Sequence, residues 1–120
     1  MLNALFDLAR PALFALEPER AHELTLASLE KGLHPRPCGP DRLELSVKLF
    51  GLAFPNPIGA AAGFDKNARV PDPMLAMGLG FAEIGTVTPL PQVGNPRPRV
   101  FRLIEDRAVI NRLGFNNEGH

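Results

Sequence analysis

The sequence contains a single cysteine, Cys38. No internal disulfide can form, and a reducing compartment is the default. An excess of either charge is also missing. Thirteen Lys and Arg balance 13 Asp and Glu along the chain, so bulk electrostatics call for no nucleic acid and no acidic partner. No stretch reads as a membrane span. The longest charge-free run, Leu49 to Phe64, carries Pro55, Asn56 and Pro57, which a lipid-embedded helix of about 20 apolar residues would not favour. The N-terminal stretch carries no basic run and holds Asp7 inside its apolar pattern, so it is not expected to be a secretory signal. Cys38 and the three histidines are scattered and make no metal cluster. There is no G-x-G-x-x-G after a strand and no P-loop. The two serines, Ser28 and Ser46, do not fall at the end of a predicted strand near a candidate base. What remains is a set of groups able to hold a ligand, with no clear proton-transfer residue.

The chain divides near residue 40. Residues 1 to about 34 are helical and amphipathic, with Leu2, Leu5, Ala9, Leu13 and Leu16 at three- and four-residue steps. Pro11 either kinks this segment or restarts it in a first turn. Pro18 opens a second helix running to about Lys31, and Gly32 supplies a stop. His22, Leu26, Leu29 and Leu33 share one stripe of that helix. A lone histidine on such a stripe is more commonly a satisfied core group than a functional one. Two short amphipathic helices could cap a domain or dip into a membrane surface. The run His34-Pro-Arg-Pro-Cys-Gly-Pro40 cannot hold regular structure and reads as a linker.

Beyond the linker the pattern shifts to short strands. Leu45 to Leu49 and Phe50 to Phe54 predict a small hairpin. Ile58 to Gly63 predicts a buried strand, Val70 to Met77 a short helix, and Phe81 to Thr88 a second strand. Val100 to Leu103 and Ala108 to Asn111 predict strands around a turn at 104–107. Asn116 or Asn117 could cap a helix that does not follow. A strand–helix–strand unit builds a parallel sheet, which needs both faces covered. The expectation is therefore an α/β fold, the N-terminal part of a barrel of more than about 200 residues.

The stretch Ile58-Gly-Ala-Ala-Ala-Gly-Phe-Asp-Lys66-Asn organises the rest. Its small residues leave room for something flat to lie against the backbone, and Asp65 and Lys66 appear where the strand emerges. Lys66, Thr86 and Asn111 each fall at or near the C-terminal end of a predicted strand, the face where barrel enzymes place their sites. Lys66 could be a Schiff-base nucleophile, a cation facing developing negative charge, or a surface lysine. Thr86 alone is unremarkable, since threonine suits strands. Asn111 opens the amide-rich run Asn-Arg-Leu-Gly-Phe-Asn-Asn117, which suits either ligand contact or turn chemistry.

Four ordered motifs then resemble one family. They are Ala61-Ala-Gly-Phe-Asp-Lys66, Glu83-Ile-Gly-Thr-Val-Thr-Pro89, Gly94-Asn-Pro-Arg-Pro-Arg-Val-Phe-Arg-Leu103 and Ile110-Asn-Arg-Leu-Gly-Phe-Asn-Asn117. Together with Glu17-Pro-Glu-Arg-Ala-His22 they are similar to class 2, quinone-dependent dihydroorotate dehydrogenase over nearly all of the chain.

The resemblance implies an FMN-containing (β/α)8 TIM barrel preceded by a small amphipathic helical hairpin. Residues 1–40 would form a membrane-associating quinone-tunnel segment and linker, and residues 41–120 the first part of the FMN-binding barrel. The implied activity is oxidation of dihydroorotate to orotate in pyrimidine synthesis, with ubiquinone or menaquinone as final acceptor. By motif match Ala62, Gly63, Phe64, Asp65, Lys66 and Thr86 would hold FMN. Lys66, Asn111, Arg112, Leu113, Gly114 and Phe115 would contact substrate, and His22 and Arg102 would line the quinone tunnel. No catalytic residue is expected among these 120, the family's serine base lying beyond His120. The implied location is peripheral, at the cytoplasmic face of a bacterial inner membrane. A class 1-like soluble relative and a non-catalytic membrane-docking fragment are the alternatives.

Overall fold

The computed structural model describes residues 2–120, with side chains from residue 8 onward. Two helices come first, α1 (Leu2–Ala15) and α2 (Pro18–Glu30). α1 is one continuous helix with Pro11 in its interior rather than two pieces. α2 begins as its sequence predicts. Pro18 takes the first turn, where its missing N–H costs nothing, and the Glu17 carboxylate accepts the N–H groups of Glu19 and Arg20 at 3.1 and 2.8 Å. The helix ends in a Schellman motif. Gly32, at φ +71°, donates to the carbonyl of Leu29 and Leu33 donates to that of Ser28, both at 2.9 Å.

A 3₁₀ turn (Leu43–Leu45) leads into the hairpin of β1 (Val47–Leu49) and β2 (Leu52–Phe54), paired antiparallel with Leu49 opposite Leu52. Next comes a strand–helix–strand unit: β3 (Gly59–Ala60), α3 (Pro71–Ala76) and β4 (Phe81–Ala82). β3 and β4 are parallel, with Gly59 opposite Phe81 and Ala60 opposite Ala82. A second antiparallel hairpin, β5 (Val100–Leu103) and β6 (Ala108–Asn111), closes the order.

The strands of the parallel unit are shorter than their apolar runs. Ile58–Gly63 and Phe81–Thr88 each contribute only two ladder residues, and Ile58 is exposed. Among the described residues β3 and β4 pair only with each other, and a parallel strand becomes regular where neighbours on both sides fix its hydrogen bonds. The two segments nonetheless stay aligned past the ladder. Glu83 donates to Ala60 at 2.9 Å, Gly63 to the carbonyl of Gly85 at 2.8 Å, and Gly85 to that of Asp65 at 3.1 Å. This zipper carries Gly63 and Lys66 alongside Thr86.

The core lies where α2, α3 and the parallel pair meet. Leu26 and Leu29 of α2 pack with Val70 and Met74, and Ala60, Phe64, Met77, Leu79 and Ala82 close around them. Full burial of each of the four buried side chains, Leu26, Leu29, Val70 and Met74, stabilises by about 1.5–3 kcal/mol. The stripe read from the sequence thus seats α2 on the strand–helix–strand unit. Asn117 caps no helix. Its side-chain oxygen accepts from Thr88 N at 3.2 Å and from Gly119 N at 2.9 Å, bracing the two loops together.

Candidate functional site

A cleft of about 350 Å³ opens at the ends of β3, β4 and β6. The loop after β3 supplies Ala62, Gly63 and Lys66, the segment after β4 supplies Thr86, and the run following the last strand supplies Asn111 to Phe115. Residues scattered over fifty positions of sequence converge because the β3–β4 zipper and the β5–β6 hairpin deliver them to one face. Asn95 completes the wall. Nothing in the sequence singles it out, since Gly-Asn-Pro in a proline-rich loop is ordinary turn chemistry. Its side chain donates to the carbonyl of Arg112 at 2.8 Å and its backbone N–H to that of Leu113 at 3.0 Å.

Lys66 is the chemical centre of the cleft. It is half-buried, and its Nζ donates to the carbonyl of Gly63 at 2.9 Å. Burial lowers its pKa; Glu19 opposes that shift and Arg99 adds to it. No salt bridge to Lys66 exists among the described residues. A half-buried ammonium held by one carbonyl is poised to attract electron-rich groups in the cleft.

Phe64 and Asp65 turn the other way. They line a second cavity of about 550 Å³ between α2 and the loops, which His22 also lines and Lys66 borders. The His22 ring meets Phe64 edge to face, with centroids 5.2 Å apart. Asp65 is fully buried and its carboxylate is taken up by backbone, accepting from Arg69 N at 2.9 Å and Val70 N at 2.7 Å. Arg102 lines neither cavity. It donates to carbonyls at the end of α1, Phe14 in the last turn at 3.2 Å and Leu16 just past the helix at 2.7 Å, and its guanidinium lies 5.1 Å from the centre of the Phe14 ring.

Ion pairs fasten α2 over this region. Arg69 holds Glu23 and Glu30, both at 2.7 Å, in partly exposed geometry. Arg99 holds Glu19 at 2.5 Å in a nearly dry one, and the hydrogen bonds from Arg99 keep the Glu19 carboxyl below its ordinary 4.5.

The sequence model of the dihydroorotate dehydrogenase family matches residues 44–120, which include every residue of the smaller cleft. The chain belongs to that family. Its similarity runs further than the family model. Dihydroorotate dehydrogenase (quinone) of Parvibaculum lavamentivorans is 67% identical over 116 residues, covering 97% of this chain and 33% of the relative. The mitochondrial dihydroorotate dehydrogenase (quinone) of Cyclocybe aegerita is 62% identical over 120 residues, 99% of this chain and 36% of its own. Among solved structures, DHODH from Eimeria tenella in complex with ferulenol superposes with a TM-score of 0.82 at 48% identity, over 90% of this chain and 30% of that one. The chain spans about a third of the length of the curated relatives it matches. Its α/β architecture is that of dihydroorotate dehydrogenase structures.

Proposed function

We propose that this chain forms the opening part of a (β/α)8 barrel that oxidises dihydroorotate to orotate in pyrimidine biosynthesis, with FMN as hydride acceptor and a membrane quinone as final acceptor. The observation that carries the reading is Lys66, a half-buried ammonium without a carboxylate partner among the described residues, facing a cleft it shares with Gly63, Thr86 and Asn111.

The residues fit a flavin. Nothing lies within 4 Å of where a Cβ on Gly63 would stand, so the Ala62–Gly63 backbone offers a bare surface for a flat ring. Polar groups gather at the rim of that surface: the Lys66 ammonium, the Thr86 hydroxyl and the amides of Asn95 and Asn111. A ring system with two apolar faces and a hydrogen-bonding edge matches this distribution. When bound, FMN accepts the hydride that leaves the substrate carbon. The protein's share is placement and charge. Lys66 sets a cation where negative charge gathers, the role its two alternatives, Schiff base and surface lysine, fit less well. Asn111, with Arg112 to Phe115, orients the pyrimidine ring of the substrate, and Thr86 hydrogen-bonds the flavin. Phe64 and Asp65 serve that site from behind, through packing and backbone.

In the same reading residues 1–40 lead the quinone to the flavin. His22 sits on that route, with its ring against Phe64, one residue beyond the bare Gly63 surface. Arg102 borders it by holding the end of α1. No described helix is long and apolar enough to cross a membrane. The amphipathic helices instead rest on the surface, at the cytoplasmic face of a bacterial inner membrane.

The test is direct. A family-length protein carrying this sequence purifies with bound FMN and reduces ubiquinone or menaquinone with dihydroorotate as donor. Purification without flavin under FMN-replete conditions overturns the reading.

A further inference from the structure

Glu19 and Arg99 lie 80 positions apart and form the most enclosed ion pair among the described residues, their side chains 14% and 6% exposed. The guanidinium works in two directions. Toward α2, Nη2 donates to Glu19 at 2.5 Å and Nε reaches both carboxylate oxygens at 3.1 Å. Toward the cleft, Nη1 donates to the carbonyls of Val93 at 2.6 Å and Asn95 at 3.1 Å. One planar fork therefore grips a helix and the loop that carries Asn95, a task for which arginine's fixed donor geometry is suited.

That loop has little slack. Gln92 and Asn117 exchange backbone hydrogen bonds at 2.9 and 3.0 Å, and Arg112 N donates to the carbonyl of Arg99 at 2.8 Å. Gly94 sits between, at φ +75°, where a Cβ would stand 2.2 Å from the Leu113 carbonyl oxygen and 2.9 Å from Arg99 Nη1. Only a residue without a side chain lets the three segments close this far. A shift of Arg99 is thus handed to Asn95 and to the 111–115 stretch.

We propose that Glu19 and Arg99 are positioning residues of the cleft, coupling the seating of α2 to the placement of Asn95 and of the 111–115 stretch. The inference rests on the proposed function for the identity of the substrate. Removing the Glu19 charge leaves a buried guanidinium without its partner, and the fork then pulls on the carbonyls it still holds. Because such coupling is reciprocal, substrate in the cleft steadies α2, and whatever draws α2 away weakens the hold on substrate. Arg69 supplies the contrast. It fastens the same helix through Glu23 and Glu30 but donates to no carbonyl of the cleft loops.

The test uses the family-length holoenzyme carrying this sequence and the variants E19Q, R99K and R69Q. E19Q and R99K are expected to raise the KM for dihydroorotate about tenfold, the effect of about 1.4 kcal/mol of lost coupling, with a smaller change in kcat. Both also speed amide exchange at Asn95 and Asn117. R69Q speeds exchange in α2 and leaves those two amides and the KM as in the wild type. R99K keeps the charge but not the fork, and decides the matter if E19Q does not fold. Wild-type exchange at Asn95 and Asn117 in E19Q or R99K overturns the proposal. So does an R69Q variant that moves both readouts as far, since that outcome means helix docking alone. If the wild type does not turn over dihydroorotate, the proposed function fails, while exchange at Asn95 and Asn117 still decides the coupling.

Discussion

The carboxylate of Asp65 accepts the backbone N–H of Val70 at 2.7 Å, with both residues fully buried. Its other oxygen takes Asn67 N and Arg69 N at 3.3 and 2.9 Å. One side chain thus organises the turn that carries the chain from Lys66 into α3. Helix α3 has no side-chain cap from Val70; Asp65 instead fixes the approach to the helix by accepting the N–H of Val70 itself, the residue just before its first turn. Replacing Asp65 with Ala orphans buried donors and is expected to destabilise the family-length protein by about 2–4 kcal/mol. Denaturant unfolding checks this. Asp65→Asn keeps the shape and is expected to lose less; an Asp65→Ala midpoint equal to the wild type contradicts the assignment.

Arg102 has the same logic at the other end of the chain. The last turn of α1 contains no basic residue, and Arg102 reaches across from β5 to its terminal carbonyls. Arg102→Leu removes charge-assisted hydrogen bonds worth about 1.5–3 kcal/mol. The expected outcome is faster amide exchange in the last turn of α1, with that of the β5–β6 hairpin unaltered. A lysine, a point charge on a flexible stem, is expected to restore only part of the protection. Unchanged exchange in Arg102→Leu counts against the capping role.

His22 predicts a pH dependence. Burial pushes its imidazole below the ordinary 6.5 and the Lys66 charge adds to this, while the Phe64 backbone, Glu23 and Glu19 oppose it. The unfolded chain therefore takes up the proton first. The contribution to stability is complete above 6.5 and is lost as pH falls through the lowered folded value. The Glu19 and Glu30 carboxyls, held below 4.5 by Arg99 and Arg69, act in the same direction in a lower window. The denaturant midpoint of the family-length protein is expected to fall between about pH 7 and pH 5, and His22→Phe to flatten that part of the curve. Equal slopes in the two proteins contradict it.

Local signals carried much of the fold. Pro18, Gly32 and the apolar stripe mark α2 to within a residue. The β5–β6 hairpin falls on the two strand-like runs that the sequence predicts, at their stated ends. These elements are specified by neighbours close in sequence. The strands of the parallel unit are shorter than predicted because an apolar run states only that a segment wants burial, while ladder length depends on partners. In the cleft, position at predicted strand ends picked out Lys66, Thr86 and Asn111 and small size picked out Gly63, but their roles came only from the family resemblance, since a strand-end threonine or asparagine is also ordinary strand and turn chemistry. Asn95 was not, since its amide reaches Arg112 across 17 positions. The opposite facing of Phe64 and Asp65 is set by the backbone of the loop after β3, which no residue type announces. The Glu19–Arg99 pair spans 80 positions, and no periodicity connects its members.

Lys66 is expected to present its charge to flavin and substrate in the cleft of Gly63, Thr86 and Asn111. Anaerobic mixing of the FMN-loaded family-length protein with dihydroorotate, followed by flavin absorbance, tests it most directly. Lys66→Ala is expected to slow bleaching by about 10²–10³-fold and to weaken dihydroorotate binding, with the flavin still bound. Bleaching at the wild-type rate with wild-type substrate affinity in Lys66→Ala would mean that Lys66 has no such role.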